Sequence, residues 1–387
     1  MFKSIPPASP RRKRGERSGI PKFYILIFKF LTKKMSDNDN EQSKEKFEID
    51  EFVAQIKPKP RWRRFAFGFW ILVLVALVVG IGGLLVYKTG FTFSQMQTEK
   101  LEKLPLIDDL TTMNTPQPET DRLNILALGL RGEEDPNGGL LTDSIMVITL
   151  KKSTGQVALI SIPRDLYITM PGQKYKEKIN FAYALGFEQK GAAGGMFLSK
   201  IAVSRVTGLF IDNVVTINHA AFKEVVDALG GVDVTLDKPF QEKTQFAKDI
   251  LIDLPVGQNH LDGNTALYFV RSRFSTSDFD RARRQQAVLL AVKEKALSLG
   301  VLSNPVTIFQ TMGSLGKNVR TDLSFSEIKN LIGLASDINT KEVRHRVFDT
   351  TPEGLLYSTK SDIGAYILLP AGDDFSKIQE ACKNIFN

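Results

Sequence analysis

The sequence is poor in the side chains that build disulfides and many metal centres. Its 387 residues include one cysteine, Cys382, and three histidines, His219, His260 and His345. A single cysteine excludes an internal disulfide and a metal site built from several cysteines. The histidines show no metal-binding spacing such as HExxH, so we interpret each as a structural or surface residue rather than a catalytic one.

The C-terminal part of the chain also lacks an excess of positive charge. The whole chain has a formal net charge of +8, but residues 1–64 hold 17 Lys and Arg against 8 Asp and Glu, and the remainder holds 34 against 35. A nucleic-acid-binding domain normally carries its own basic surface. We therefore expect no nucleic-acid partner, and we interpret residues 1–64 as a basic, mostly disordered tail.

One long segment, residues 65–87, has no charged residue at all. As a helix its 23 residues would be about 34 Å long, enough to cross the hydrocarbon core of a bilayer. Lysines and arginines are concentrated just before it, in residues 57–64, whereas Lys88 alone follows it. The positive-inside rule then predicts a single-pass transmembrane helix with a cytoplasmic N-terminus and an extracytoplasmic C-terminal domain. The segment is too long for a cleaved signal peptide and has no evident A-x-A site.

Residues 1–34 leave two interpretations open. The stretch IPKFYILIFKFL, residues 20–31, is too short to span a bilayer and could lie on the membrane surface. Alternatively, Met35 opens an ordinary polar start, and residues 1–34 are an upstream extension that is not always translated. Mass spectrometry of the intact N-terminus separates the two.

The patterning after the anchor predicts an α/β fold. Residues 88–120 are typical of a stalk, and residues 121–300 then contain short apolar runs that predict strands, such as NILALGL, SIMVITL and QVALISI. Helical runs alternate with them, including EKINFAYALG, GMFLSKIAVSRVTGL and HAAFKEVVDALGG. The mixture predicts a mixed central sheet covered by helices on both faces. Residues 301–387 continue the alternation, either completing the same sheet or forming a small lobe.

An unusual concentration of arginine lies in residues 268–286, YFVRSRFSTSDFDRARRQQ. A solvated surface helix would intersperse Lys and Glu, whereas the planar donors of arginine suit phosphate oxygens. On a helix capped by Ser277 or Asp278, helical spacing puts Arg281, Arg284 and Gln285 on the face that is apolar further along, and Arg283 nearly opposite. The helix N-terminus adds partial positive charge, so the stretch predicts an anion site.

A structural alternative to the anion site is an ion-pair network within the same stretch. Its members would be Arg271, Arg273, Asp278 and Asp280.

Outside the stretch, Arg164 follows the predicted strand ALISI, at the position where loops beyond strand ends usually hold ligands in α/β sheets.

The motifs NILALG, TDSIMV, ISIPRD, KINFAYALG, GGVDV, LDGNTALYFVRSR and DFDRARRQQ follow one another over residues 122–300. In this order, behind one N-terminal anchor, they resemble the LytR-CpsA-Psr family of membrane-anchored phosphotransferases. The resemblance implies an α/β/α domain that binds a polyprenyl (pyro)phosphate lipid. It also implies transfer of a glycopolymer from that lipid to a cell-wall polymer acceptor, usually with Mg²⁺.

The resemblance also assigns roles residue by residue. The residues implied to hold the two phosphates are Arg164, Arg271, Arg273, Arg281 and Gln285, and the residue implied to bind Mg²⁺ is Asp143 of the TDS motif. Asp278 would orient arginines or act as a base, although a helix cap explains it equally well. Arg164, Arg281 and Asp278 are the expected catalytic residues. Asp165 is expected to fix its loop.

Two positions depart from the family pattern. Arg131 stands where the family commonly has a second metal-binding aspartate, and Leu141 stands where an arginine is common. Compared with the family pattern, an arginine is present at position 131 and absent at position 141, which keeps the positive charge. We therefore add Arg131 to the expected phosphate-binding residues. Glu133, Glu134 and Asp135 could replace the lost carboxylate, or they could belong to a solvated loop.

Two further functions remain open, a polyprenyl pyrophosphate hydrolase and a non-catalytic protein that binds polyprenyl phosphate. In each case an apolar pocket should lie beside the arginines, because a polyprenyl chain offers only hydrocarbon surface. Candidates for its lining are Phe181, Tyr183, Leu185, Phe197, Leu198, Ile201 and Val203, and the alternative is that many of them are ordinary core residues.

Overall fold

The architecture follows from a computed structural model that describes residues 94–102, 104, 116–133, 135, 139–243, 245, 252–300, 315–335 and 339–387. Within these ranges no helix is both long and apolar enough to cross a membrane. The predicted tail, residues 1–64, and the predicted anchor, residues 65–87, lie outside the described residues.

A mixed six-stranded sheet forms the centre of the fold. In spatial order its strands are β11 (Val319–Thr321), β6 (Asn213–Asn218), β1 (Arg122–Leu130), β2 (Thr142–Lys151), β3 (Gln156–Ser161) and β12 (Asn339–Val347). The pairs β1–β6 and β3–β12 are parallel. The pairs β1–β2, β2–β3 and β6–β11 are antiparallel. The predicted α/β fold with a mixed central sheet is therefore confirmed.

Eight shorter strands form two-stranded sheets around the central one. They pair as β4 (Tyr167–Thr169) with β5 (Lys176–Lys178), β7 (Val232–Leu236) with β10 (Gly257–Leu261), β8 (Phe240–Glu242) with β9 (Ile252–Leu254), and β13 (Leu356–Lys360) with β14 (Tyr366–Pro370). The helices are α1 (Ala182–Thr207), α2 (His219–Ala228), α3 (Gly263–Arg271), α4 (Asp278–Ser298), α5 (Leu315–Asn318), α6 (Phe325–Ala335) and α7 (Ser376–Lys383). Glu177 and Lys178 were predicted as the start of a helix, but they belong to strand β5, because their backbone pairs with β4.

Strand β1 shows how the sheet separates its two faces. Its residues alternate between buried and partly buried, as expected when successive side chains point to opposite faces. Leu126 and Leu128 enter the main core together with Val203 of α1 and Ile378 of α7. Ala127 and Gly129 lie on the opposite face of β1, toward a cavity. One face of the sheet therefore packs into the main core, and the other face borders the cavity.

Helix α1 is two helical segments joined at a sharp turn. Lys190 and Gly191 have non-helical backbone angles, with φ of −149° and 56°. The turn brings Gly186 against Gly194, where a Cβ on Gly186 would lie 2.1 Å from the Gly194 carbonyl oxygen. Only glycine tolerates that approach, and Gly191 supplies the positive φ that the turn requires. The two separate helices predicted from this stretch are thus present.

Both ends of the described chain join the central sheet. Gln97, from the predicted stalk, forms a bridge with Thr321 of β11, and the Thr98 amide donates to the Thr321 carbonyl oxygen at 2.7 Å. Leu104 is 2% exposed and packs beside Phe197 of α1. At the other end, β11 and β12 are the two edge strands. The C-terminal residues therefore complete the sheet.

Candidate functional site

A cavity of about 290 Å³ lies between the open face of the central sheet and helices α2, α3 and α4. Ala127, Gly129, Met146 and Ile217 line it from strands β1, β2 and β6. The helices contribute Val225, Val226, Leu267, Val270, Leu289 and Val292. All of these side chains are apolar or absent, so the cavity suits hydrocarbon.

One side of helix α4 links this apolar lining to the arginines. Arg281, Gln285, Leu289 and Val292 all line the cavity, at spacings of three and four residues that put them on one helix face. The Arg281 side chain is 7% exposed, against 51% for Arg283. Ser277 and Asp280 start the helix with a reciprocal capping box. The predicted helix register is therefore the observed one. The cavity-lining face of α4, called the α4 stripe below, changes along the helix from the charged Arg281 to the apolar Leu289 and Val292.

Asp143 is surrounded by arginines. Its Oδ2 accepts from Arg131 Nε at 3.1 Å, its Oδ1 from Arg164 Nη1 at 2.5 Å, and its carbonyl oxygen from Arg281 Nη2 at 3.0 Å. Burial by itself raises the pKa of the Asp143 carboxyl, but Arg164 and Arg131 outweigh burial and hold the pKa below its usual value. Asp143 is thus ionised, and each of its carboxylate oxygens pairs with an arginine.

Asp278 pairs with Arg281 through both of its oxygens. The Asp278 Oδ1 lies 3.0 Å from Arg281 Nη1 and its Oδ2 accepts from Arg281 Nη2 at 3.0 Å. The Asp278 Oδ1 is also 3.9 Å from Arg164 Nε, a buried nitrogen that has no hydrogen-bond partner. Burial lowers the pKa of Arg281 despite this pairing, yet guanidinium remains charged at any relevant pH.

The other predicted phosphate-binding residues also line the cavity. Arg271 is the last residue of α3, and Arg273 follows it in the loop toward α4. Gln285 accepts from Ser144 Oγ at 2.9 Å and donates to the Val270 carbonyl oxygen at 3.2 Å. The structure therefore brings together all of the predicted site residues. The alternative network is not built as predicted, because Asp278 bonds Arg281, and Asp280 pairs with Arg283.

Arg284 has a structural role that the sequence did not indicate. Its Nε donates to the Phe269 carbonyl oxygen at 2.8 Å, its Nη1 donates to Thr276 Oγ1 at 3.0 Å, and its Nη2 donates to the Ser272 carbonyl oxygen. The guanidinium also lies 4.6 Å from the ring centroid of Phe240. Burial lowers the pKa of Arg284 to about 10. Arg284 therefore holds the loop that carries Arg273.

We expect Arg284→Lys to destabilise the protein by about 2 kcal/mol, because lysine cannot make three divergent hydrogen bonds at once and leaves buried acceptors unpaired. Arg283→Lys is the matched control on the exposed side of the same helix, and it should change stability by less than about 0.5 kcal/mol. Denaturant unfolding of both variants measures the difference. Equal stabilities would mean that the loop does not depend on Arg284.

His219 lines the cavity at the start of α2, although it has no metal-binding or catalytic spacing to other residues in the sequence. Burial lowers the pKa of His219 to about 4, and the charge of Arg271 adds to the effect. The imidazole is therefore neutral at pH 7. Asn218 caps the helix by accepting from the Ala221 amide at 3.0 Å. The only sequence signal was that His219 directly follows the strand VVTIN.

The candidate residues for the apolar lining do not line the cavity, and the alternative that they belong to the core is confirmed. Tyr183 and Val203 lie in the main core, on the packed face of the sheet, and Phe181 and Leu185 pack against it. Phe197, Leu198 and Ile201 form a smaller cluster with Leu104. None of these residues lines the cavity beside the arginines. Apolar helix residues can cover either face of a sheet, and their sequence does not say which.

Comparison with known proteins agrees with the site. The LytR_cpsA_psr family model matches residues 86–384. The polyisoprenyl-teichoic acid–peptidoglycan teichoic acid transferase TagU of Bacillus cereus (strain AH820) is 32% identical over 255 residues, which cover 65% of this chain and 77% of TagU.

Two solved structures share the fold. B. subtilis TagV is 25% identical with a TM-score of 0.53, over 69% of this chain and 98% of TagV. The LytR-CPS2A-psr family protein YwtF (TagT), solved with bound octaprenyl pyrophosphate lipid, is 21% identical with a TM-score of 0.52, over 74% of this chain and 98% of TagT. With the order of the motifs and the match over most of its length, the chain belongs to the LytR_cpsA_psr family.

Proposed function

We propose that the protein transfers a glycopolymer from a polyprenyl (pyro)phosphate lipid to a cell-wall polymer. The observation that carries this proposal is that five arginines line one apolar cavity. They are Arg131, Arg164, Arg271, Arg273 and Arg281. Such a site offers charge-assisted donors to phosphate oxygens and hydrocarbon contacts to a lipid chain. The activity in the name of the related TagU supports the same reaction class.

The arginines would act mainly by neutralising charge on the phosphates. In the transfer, the acceptor hydroxyl oxygen forms a bond to the phosphorus that carries the glycopolymer. The bond from that phosphorus to the bridging oxygen of the lipid phosphate breaks, and the lipid phosphate leaves with the electron pair. Phosphoryl transfer of this kind depends on positioning and electrostatic stabilisation. The partly buried Arg164 and the buried Arg281 supply both from hydrogen-bonded positions.

Asp278 would receive the proton of the acceptor hydroxyl. Its side chain is 28% exposed, so a hydroxyl group can approach it from solvent. Its pairing with Arg281 also fixes its orientation beside the phosphate-binding arginines. Asp165, by contrast, bonds Lys178 at 2.7 Å and holds the loop after β3.

A predicted membrane anchor would keep the enzyme beside its lipid substrate. The uncharged residues 65–87, with basic residues before them, favour a single-pass helix with a cytoplasmic N-terminus. The catalytic domain would then be extracytoplasmic, where the cell-wall acceptor lies. The folded part has no excess of basic residues, which argues against a nucleic-acid partner.

We expect a reporter tag after Asn387 to be accessible from outside the cytoplasmic membrane and a tag before Phe65 to be accessible only from the cytoplasm. The basic residues on one side of the apolar segment fix this orientation. Protease accessibility in intact cells and in lysed cells measures it. The reverse orientation would remove the cell wall as the acceptor.

The proposed reaction is tested by incubating the full-length protein with a radiolabelled lipid-linked glycopolymer and cell-wall fragments. We expect label to move to the cell-wall polymer, and we expect little release of free glycopolymer phosphate. Release to water with no label on the acceptor would identify a hydrolase. Binding of the lipid without either product would identify a non-catalytic protein.

A further inference from the structure

Both carboxylate oxygens of Asp143 are already paired with arginine rather than with a metal. Both oxygens accept from guanidinium groups, Oδ2 from Arg131 and Oδ1 from Arg164. In the described ranges no group of three or more His, Cys, Asp or Glu side chains could hold a metal ion. Mg²⁺ prefers several oxygen ligands in octahedral geometry. The described residues therefore do not fit the Mg²⁺ site that the family resemblance implies.

The position of Arg131 is built into the fold. Arg131 directly follows β1, and Gly132 turns the chain with a φ of 133°. The loop then closes on itself, since the Gly132 amide donates to the Gly139 carbonyl oxygen at 3.3 Å and the Gly139 amide to that of Asp135 at 3.0 Å. A Cβ on Gly139 would lie 1.9 Å from the Gly132 carbonyl oxygen, so the closure requires glycine there. This closed loop holds the Arg131 backbone at the cavity.

Charge at the site is sufficient without a divalent cation. The five cavity-lining guanidiniums are those of Arg131, Arg164, Arg271, Arg273 and Arg281. Against them stand the carboxylates of Asp143 and Asp278, so five minus two leaves +3. Asp165 also lies 3.6 Å from Arg164 Nε, but Lys178 balances its charge at 2.7 Å, so this pair does not change the count. Counting Asp135, whose charge acts on Arg271, leaves +2. A pyrophosphate diester carries one negative charge on each phosphate, so the arginines alone balance it.

We propose that the Arg131 guanidinium, held on Asp143, takes the place of a protein-bound divalent cation in this enzyme. The inference rests on the proposed transfer reaction. Arg131 would neutralise the charge that develops on the lipid phosphate as it leaves, and Asp143 would position Arg131 and Arg164. Because guanidinium cannot lose its proton at relevant pH, this charge is permanent and needs no metal to be loaded.

Transfer assays with the full-length protein in detergent test the inference, in EDTA and in Mg²⁺. We expect the wild type to transfer at equal rates in both. Arg131→Ala should be roughly ten- to a hundredfold slower in both, as for the loss of one charge-assisted contact. Arg131→Asp should be equally slow in EDTA but should recover with Mg²⁺, because it adds a second carboxylate beside Asp143. A wild type that is inactive in EDTA and restored by Mg²⁺ overturns the inference.

Metal binding gives a second measurement that does not need transfer. Free Mn²⁺ is measured by electron paramagnetic resonance during titration of the protein with farnesyl pyrophosphate bound. The wild-type complex should bind Mn²⁺ no more tightly than farnesyl pyrophosphate alone, and Arg131→Asp should bind it roughly tenfold more tightly. Arg344→Asp, the same charge change on exposed strand β12, is the control and should match the wild type.

The two measurements separate this inference from the proposed function. A wild-type protein that shows no transfer under any condition would contradict the proposed reaction, while the Mn²⁺ titration would still decide the role of Arg131. Tighter Mn²⁺ binding by the wild-type complex than by farnesyl pyrophosphate alone would reject the inference, whatever the transfer assay shows.

Discussion

Arg281→Ala is expected to slow transfer by roughly ten- to a hundredfold, the loss corresponding to one charge-assisted contact of about 1.5–3 kcal/mol. Arg281 bonds the Asp143 carbonyl oxygen and both oxygens of Asp278, so its loss also removes the group that orients Asp278. Initial rates with lipid-linked glycopolymer give the comparison.

Arg283→Ala is the matched control, because it removes two ion pairs on the opposite side of α4, two residues away from Arg281. Arg283 pairs with Asp280 at 3.0 Å and Asp349 at 2.6 Å. Both variants should therefore lose some thermal stability, but only Arg281→Ala should lose transfer. Similar transfer rates in the two variants would mean that the α4 stripe does not contact substrate.

Ala127→Phe is expected to weaken binding of a polyprenyl phosphate by roughly a thousandfold. Ala127 lines the cavity from β1, so a phenyl ring there would occupy space that the lipid chain needs. Displacing one five-carbon isoprene unit at about 0.8 kcal/mol per carbon costs about 4 kcal/mol of binding, and each 1.4 kcal/mol is tenfold. Titration calorimetry with a short polyprenyl phosphate measures the loss.

Two comparisons show whether the loss in Ala127→Phe comes from the cavity. Inorganic pyrophosphate needs only the arginines, so the variant should bind it as the wild type does. Ala287→Phe adds the same ring on the exposed side of α4 and should bind the lipid normally. Unchanged lipid binding by Ala127→Phe would exclude this cavity as the lipid site.

The charged half of the site could be predicted from the sequence because local spacing determines it. Ser277 starts α4, so helical periodicity alone separates Arg281 and Gln285 from Arg283. The strands β1, β2 and β3 were likewise predicted, because each contains a short apolar run rich in Ile, Val and Leu. Asp143 and Arg164 were identified through the family motifs, and their contact across the fold is a result of the antiparallel pairing of β2 and β3.

The apolar half of the site could not be predicted, because it depends on which face of the sheet each helix covers. Apolar residues of α1 were candidates for lipid contact, but α1 packs on the side of Leu126 and Leu128. The role of Arg284 in holding the loop before α4 could not be predicted either. Its partners are mostly backbone carbonyl groups, and no sequence pattern identifies such partners. Short strands such as β8 and β9 were missed because three residues carry no readable periodicity.

A crystal structure of the protein soaked with a polyprenyl pyrophosphate tests the central claim most directly. The account predicts the pyrophosphate between Arg164, Arg271 and Arg281, with the hydrocarbon chain between the central sheet and helices α2, α3 and α4, beside Ala127 and Leu289. A lipid chain found against α1, or a pyrophosphate bound away from the arginines, would contradict it.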